Sequence, residues 1–420
     1  MRKTAQSPVN VHVLVDLEWS AQAGGHVKCW ERFAEAAIKV PDLDLTVHFS
    51  GEKAQRRQLS SHVKFEIHEP VFSTRRIPFL GHVPDHTDMG QFHPELARQL
   101  MTADVIHTTD AFFAFAKTAE RIASQTLLPL VHSVHTDSVA YSELFTKTTL
   151  EENFNIFGLN RMLVDKLRVP KRVAGLMQMR LNKHQSLCAR VLTSREEDRQ
   201  VAMHNVSPDK LGTLRLGIDR TVFKANRSSR AKLNERYNIP DDSLVVVFVG
   251  RLDEGKNIYV LIDAVERALR EGLPVFLIAA GIGPAANVIE QRLHENAACV
   301  GFLAPHELAD IYCCADFMVL PSHVETWSMV AAEAMACGLP VIAAAQSGVG
   351  RFIGDSHAGE LVHEDTARAW AQALHQADGL RGNTNLRDNA MLLADRHFPT
   401  WLEALQEDLI PVWQAVRKRR

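Results

Sequence analysis

The sequence predicts an α/β protein of two domains, each a largely parallel sheet covered by helices on both faces. Three observations carry this. The chain has 420 residues, 46% hydrophobic and 23% charged, which is enough for two full cores. Short β-branched runs alternate with helix-period segments along its whole length. The alternation breaks over the polar stretch at 224–243 and then restarts.

In chain order, the strand candidates of the first half are 11–17 (V-H-V-L-V-D-L), 43–50, 104–109, 127–134, 190–194 and 213–217; those of the second are 244–250, 275–281, 317–321 and 339–345. A helix after the first strand carries Val27, Trp30, Phe33 and Ala37, and one after Gly250 carries Ile258, Leu261, Ile262, Val265 and Leu269 at helical period. The segment F-P-T-W-L-E-A-L-Q-E-D-L-I-P-V-W reads as a final helix broken near Pro411 and packed back on the first domain. The simplest architecture is two Rossmann-like domains, 1–228 and 229–398, with a closing helix at 399–420. They face a central cleft, where ligands bind at the carboxyl ends of the strands.

Six cysteines (Cys29, Cys188, Cys299, Cys313, Cys314, Cys337) show no C-x-x-C spacing, so neither a zinc site nor a disulfide framework is expected. The opening M-R-K-T-A-Q-S-P lacks the apolar run of a signal peptide, and no later stretch reaches membrane-span length. A cytoplasmic protein of a reducing compartment is the expectation. Residues 1–230 hold 31 Lys and Arg against 25 Asp and Glu, a surplus of six positive charges, whereas the remaining 16 against 25 leave nine negative. Much of the basic excess lies between Arg161 and Arg195, interleaved with Leu163, Leu167, Leu176, Met179 and Leu181. That pattern fits a solvated helical face, or an amphipathic surface for anionic lipid headgroups. No nucleic-acid partner is expected.

The motif E-T-W-S-M-V-A-A-E sets Glu325 and Glu333 eight positions apart around a turn-to-helix start. A helix advances 100° per residue, so positions i and i+8 return to nearly one face. Between these acids, the N–H groups of Trp327, Ser328 and Met329 point at an anion or a hydroxyl. Two hydroxyl-reading carboxylates beside an anion-reading helix end suit a nucleotide sugar. Upstream, V-G-R-L-D-E-G-K-N sets Arg251 and Lys256 at a strand end beside a helix start, a diphosphate clamp; the competing reading is a surface ion pair with Asp253 or Glu254. Gly24 and Gly25 follow the first strand, where glycine lets backbone approach a phosphate or sugar. Gly281-Ile282-Gly283-Pro284 lacks the third glycine of a dinucleotide fingerprint, and no Walker phosphate loop is present. H-S-V-H-T-D puts His135 and Asp137 on the rim of the cleft, and metal is not expected there.

With these residues assembled, the chain resembles the family-four retaining glycosyltransferases of GT-B fold over nearly its whole length. The landmarks are Gly24-Gly25, H-T-D at 135–137, V-L-T-S-R at 191–195, L-G-I-D-R-T-V-F at 216–223, the Arg251–Lys256 loop, A-G-I-G-P at 280–284, V-G-F-L at 300–303, and the paired glutamates running into E-A-M-A-C-G-L-P-V. The resemblance implies sugar transfer from a nucleoside diphosphate donor with retention and without a bound metal or other cofactor. It also implies roles. Arg251 and Lys256 hold the diphosphate, Glu333 the ribose, and Glu325 with the amides of Trp327, Ser328, Met329 and Val330 the donor sugar. Phe302 and Leu303 seat the base, Gly283 lies in the nucleotide site, His135 lies close to the reacting sugar, and Gly25 contacts phosphate. The family usually has Phe-Gly where this chain has Trp327-Ser328. The acceptor implied is a glycan or lipid-linked intermediate. A sugar-nucleotide epimerase or phosphorylase, and a non-catalytic nucleotide-sugar binder, share the architecture and stay open at this point.

Overall fold

A computed structural model describes residues 7–20, 23–76, 87–135, 137–153, 162–226, 228–322, 328–354 and 356–417. By contacts the chain divides into two compact units, Met1–Arg215 together with Trp401–Arg420, and Leu216–Thr400. The boundary falls ahead of the 228/229 seam read from the sequence, for a packing reason. Ile218 and Phe223 are buried in the core of the second unit, Ile218 N donates to Pro399 O at 2.8 Å, and Arg220 donates to the carbonyls of Ala394 and Phe398, each at 3.0 Å.

Among its described residues the first unit holds eight strands: β1 (Val9–Glu18), β2 (Leu43–Ser50), β3 (Gln55–Gln58), β4 (Val63–His68), β5 (Val105–Thr108), β6 (Leu130–Ser133), β7 (Arg190–Thr193) and β8 (Leu211–Thr213). Their order is β3-β4-β2-β1-β5-β6-β7-β8, parallel except for the edge strand β3. β6 starts at Leu130 rather than 127 because Leu127 ends the preceding helix in a left-handed conformation, φ 58°. The strand expected at 213–217 is displaced to 211–213. Beyond it Arg215 turns to Asp408, whose carboxylate accepts from the Arg215 main-chain N at 2.8 Å and from its guanidinium at 2.7 Å.

That carboxylate belongs to the closing segment, which sits in the first unit. Trp401 meets Phe33 edge-on at 4.9 Å, and both are buried. The segment runs as α-helix Trp401–Ala404, one wide turn Leu405–Leu409, then α-helix Ile410–Val416. The wide turn ends two residues before Pro411, which has no N–H to offer the regular ladder.

The second unit is a fully parallel sheet of β9 (Leu244–Val249), β10 (Val275–Ala280), β11 (Ala297–Gly301), β12 (Phe317–Leu320), β13 (Val341–Ala344) and β14 (Gly359–Val362), ordered β11-β10-β9-β12-β13-β14. Counted from its own first strand this is 3-2-1-4-5-6, the dinucleotide-fold order, which reverses between β9 and β12. Both faces are covered. Val245 and Val247 enter one apolar cluster, while Leu244, Val246 and Phe248 enter the other. Each such burial is worth about 1.5–3 kcal/mol relative to exposure.

Candidate functional site

In the second unit the chemistry collects at the carboxyl ends of β9 and β12, the switch point. Leaving β9, the chain is stitched to the loop after β10: Gly250 N donates to Ala280 O and Leu252 N to Ile282 O, both at 3.0 Å, and Ala285 N returns to Leu252 O at 3.0 Å. The two loops press so closely that a β-carbon on Gly283 would lie 2.3 Å from Leu252 O. Gly283 thereby fixes the backbone on which Arg251 rides. Arg251 Nε reaches Asp253 at 3.2 Å, so the ion pair weighed from the sequence is present. Asp253 also caps the next turn, its Oδ1 accepting from Lys256 N at 3.2 Å. A 3-10 turn, Glu254–Lys256, carries Lys256 at its end and stands between Arg251 and the helix, which begins at Ile258. Asn257, left-handed at φ 55°, donates its amide to Pro321 O at 3.1 Å and to Asp365 at 2.7 Å.

Pro321 directly follows β12, on the path to the second motif. Glu325 and Trp327 lie outside the described residues. Ser328 caps the helix Met329–Ala336, its hydroxyl accepting from Ala331 N at 3.4 Å. Its φ of −99° is open to any residue, so serine fits where glycine was expected. The cap takes up the Ala331 amide and leaves Met329 and Val330 as first-turn amides it does not satisfy. Glu333 follows on the same helix, partly buried. Its charge, after burial, pushes the Tyr312 hydroxyl above its ordinary range, and that hydroxyl has no hydrogen-bond partner among the described residues. At the end of β11, Phe302 is 58% exposed while Leu303 packs on the core.

In the first unit, Gly24 precedes the helix Gly25–Ala37 and has no side chain to cap it. The next residue, His26, stacks on His135 with ring centroids 4.5 Å apart, so the glycine loop and the residue beyond β6 meet. Burial pushes His26 down to about 4 and His135 well below the usual imidazole range; both rings are neutral at pH 7. His135 Nε2 lies 2.8 Å from Ser133 Oγ and 3.3 Å from Trp30 Nε1. Asp137 caps the following helix, accepting from Ala140 N at 3.0 Å. No group of three or more metal-binding side chains occurs among the described residues. At this unit's own switch point, Asp16 lies two residues before the end of β1 and Asp110 follows β5. Burial first, and then the neighbouring Asp110, pushes the Asp16 carboxyl up, and its Oδ1 has no partner among the described residues.

Within the second unit, then, the structure brings Arg251, Lys256, Gly283, Ser328, Met329, Val330 and Glu333 to neighbouring strand ends; within the first it brings Gly24, Gly25 and His135 together. Sequence reading missed Asn257, Tyr312, His26 and the Asp16–Asp110 pair. Asn257 closes a quoted motif and His26 directly follows another, whereas Tyr312 was hidden in an apolar helical pattern.

Two doubly wound units, the second with its cationic loop and capped helix at the switch point, define the GT-B architecture. The chain belongs to the family-four group 1 glycosyltransferases. The family model described as "Glycosyl transferases group 1" matches residues 243–377. A D-inositol 3-phosphate glycosyltransferase of Thermomonospora curvata is 30% identical over 312 residues, covering 69% of this chain and 67% of that protein. One from Stackebrandtia nassauensis is 37% identical over 197 residues, 43% of this chain and 44% of the relative. The chain thus spans about half the length of the first curated relatives it matches. Among solved structures, sucrose-phosphate synthase from Thermosynechococcus elongatus superposes with TM-score 0.69 at 18% identity, covering 96% of this chain and 97% of that one. An Anabaena protein, Alr3699/HepE, in complex with UDP and glucose gives 0.62 at 18% identity, with 95% and 98% covered. At such identity the likeness speaks to fold.

Proposed function

We propose that the chain is a retaining glycosyltransferase that moves a sugar from a UDP- or GDP-linked donor to a glycan or lipid-linked acceptor. The observation that carries this reading is the Asn257–Pro321 hydrogen bond. It ties the loop bearing Arg251 and Lys256 to the strand end that leads into Ser328, Met329, Val330 and Glu333. As the glycosidic bond breaks, negative charge grows on the departing diphosphate, so fixed cations and first-turn amides stabilise the transition state more than the ground state. Positive charge for this step comes from Arg251 and Lys256, without a bound metal. Glu333 takes the ribose hydroxyls, and exposed Phe302 offers a face for the base. Donation from UDP is favoured by the Anabaena neighbour solved with UDP and glucose. Incubating the full chain with UDP-, GDP- and ADP-sugars and assaying released nucleoside diphosphate tests the reading. Thermal stabilisation by a nucleotide with no donor ever consumed would favour the non-catalytic binder instead.

Peripheral work at the inner face of the membrane belongs to the same proposal. On the helix Val169–Leu187, Arg172, Leu176, Met179 and Lys183 fall on one stripe at spacings of four, three and four, and all four are exposed. Among the described residues, no helix is long and apolar enough to cross a membrane. Sedimentation with anionic liposomes, reversed by salt, is the expected behaviour; absence of salt-sensitive pelleting removes this part of the proposal.

A further inference from the structure

The first unit contains a hydrogen-bonded chain whose direction is fixed at both ends. Trp413, on the closing helix, places Nε1 3.0 Å from His107 Nδ1. His107 Nε2 is 2.8 Å from Ser133 Oγ, and Ser133 Oγ is 2.8 Å from His135 Nε2. Trp30 Nε1 approaches the same His135 nitrogen at 3.3 Å. An indole nitrogen only donates. Trp413 therefore requires His107 Nδ1 to be an acceptor, which puts the His107 proton on Nε2, where it donates to Ser133. With its oxygen accepting from His107, the Ser133 hydroxyl donates onward to His135 Nε2. Trp30 imposes the same role on that atom independently. The His135 proton is left on Nδ1. Both rings are neutral, burial holding His107 at about 3 and His135 well below the usual range.

We infer that Trp413, His107 and Ser133 are positioning residues that lock His135 in its Nδ1–H tautomer, with Nε2 engaged by Ser133 and Trp30 and so not placed to act as a general base. This rests on the proposed placement of His135 beside the reacting sugar. Its Nε2 lone pair is committed to two donors, so taking up a proton there would break both bonds. The stacked His26 ring restrains the plane of His135. The consequence reaches far in sequence, since Trp413 acts on His135 through two intermediaries and touches no substrate in this scheme.

The test is long-range 1H–15N correlation on the full chain labelled with 15N-histidine, using His107→Gln and His135→Gln to assign signals. Expected are opposite tautomers, Nε2–H for His107 and Nδ1–H for His135, both neutral at pH 7. Finding His135 as Nε2–H, or in fast exchange between tautomers, overturns the inference. In Trp413→Phe, a mixed His135 tautomer and a kcat lowered about tenfold at unchanged donor KM are expected, in line with the cost of losing an outer partner of a functional histidine. Ser133→Ala should reproduce the effect if the tryptophan variant fails to fold. Wild-type kcat in both variants also overturns the inference. If the unsubstituted chain consumes no donor, the transferase reading fails, while the tautomer assignment still stands or falls on the spectra.

Discussion

Gly281 meets Gly250 so closely that a β-carbon on Gly281 would lie 1.8 Å from the Gly250 carbonyl oxygen, and its φ is +146°. That contact sets the path of the loop carrying Arg251. Gly281→Ala should cost about 2–3 kcal/mol through backbone strain and displacement of the loop, read as a lower denaturation midpoint. Gly175 is the counterpart. It lies inside the helix Val169–Leu187 with nothing within 4 Å of its added β-carbon, so Gly175→Ala should stabilise by about 0.5–1 kcal/mol. Equal effects of the two substitutions would contradict the packing described.

Arg251 and Lys256 offer a sharper functional test. Removing one electrostatic donor to a developing oxyanion typically costs about 100-fold or more in rate. Lys256→Ala and Arg251→Ala should each slow release of nucleoside diphosphate by that order while retaining the wild-type circular dichroism spectrum. Because Arg251 is also paired with Asp253, its loss should additionally loosen the turn. Near wild-type turnover in both variants would remove the clamp from the mechanism.

How much of this was legible beforehand follows from where each signal resides. β9 and β10 could be read because both faces are buried and their runs are continuously apolar. β4 was passed over because Lys64 and Glu66 alternate with Val63, Phe65 and Ile67, and β11 because Ala297 and Ala298 have little strand propensity. The Arg251–Lys256 spacing is local and therefore visible. The hydrogen bonds that organise the sites are not: Asn257 and Pro321 are 64 residues apart, Trp413 and His107 are 306 apart, and only the folded sheets bring them together.

Cys313 should be the most reactive thiol. A hydrogen bond with the neighbouring Cys337 thiol lowers it to about 7, and correspondingly pushes Cys337 up. Cys313 is only partly buried, whereas burial pushes Cys29 and Cys188 up and holds Cys299 and Cys314 at about 11. The thiolate is the nucleophile. Limited iodoacetamide at pH 7.5 should modify Cys313 first by peptide mass spectrometry, and Cys337→Ala should slow that labelling. Faster modification at any other cysteine would refute this ordering.

Acid should unfold the first unit early, because a row of neutral histidines crosses its sheet. His12 Nδ1 lies 2.9 Å from His48 Nε2, and His48 Nδ1 lies 2.9 Å from His68 Nε2, all three buried. Burial lowers His12 to about 3, His68 to about 4 and His48 well below the usual range. In the unfolded chain these imidazoles titrate near 6.5. Their contribution is therefore complete above about pH 6.5 and is lost as the pH falls from there toward about 4, where the unfolded chain binds protons that the folded one refuses. Each group adds a slope on the order of 1 kcal/mol per pH unit across that window. The raised carboxyls of Asp16 and Asp110 act the other way, since they bind protons earlier in the fold than in the open chain. Two carboxyls do not offset three imidazoles joined by His26 and His107, so the urea midpoint should fall steeply between pH 7 and pH 5. A midpoint that stays level across that interval would mean these rings take up protons without leaving the folded state.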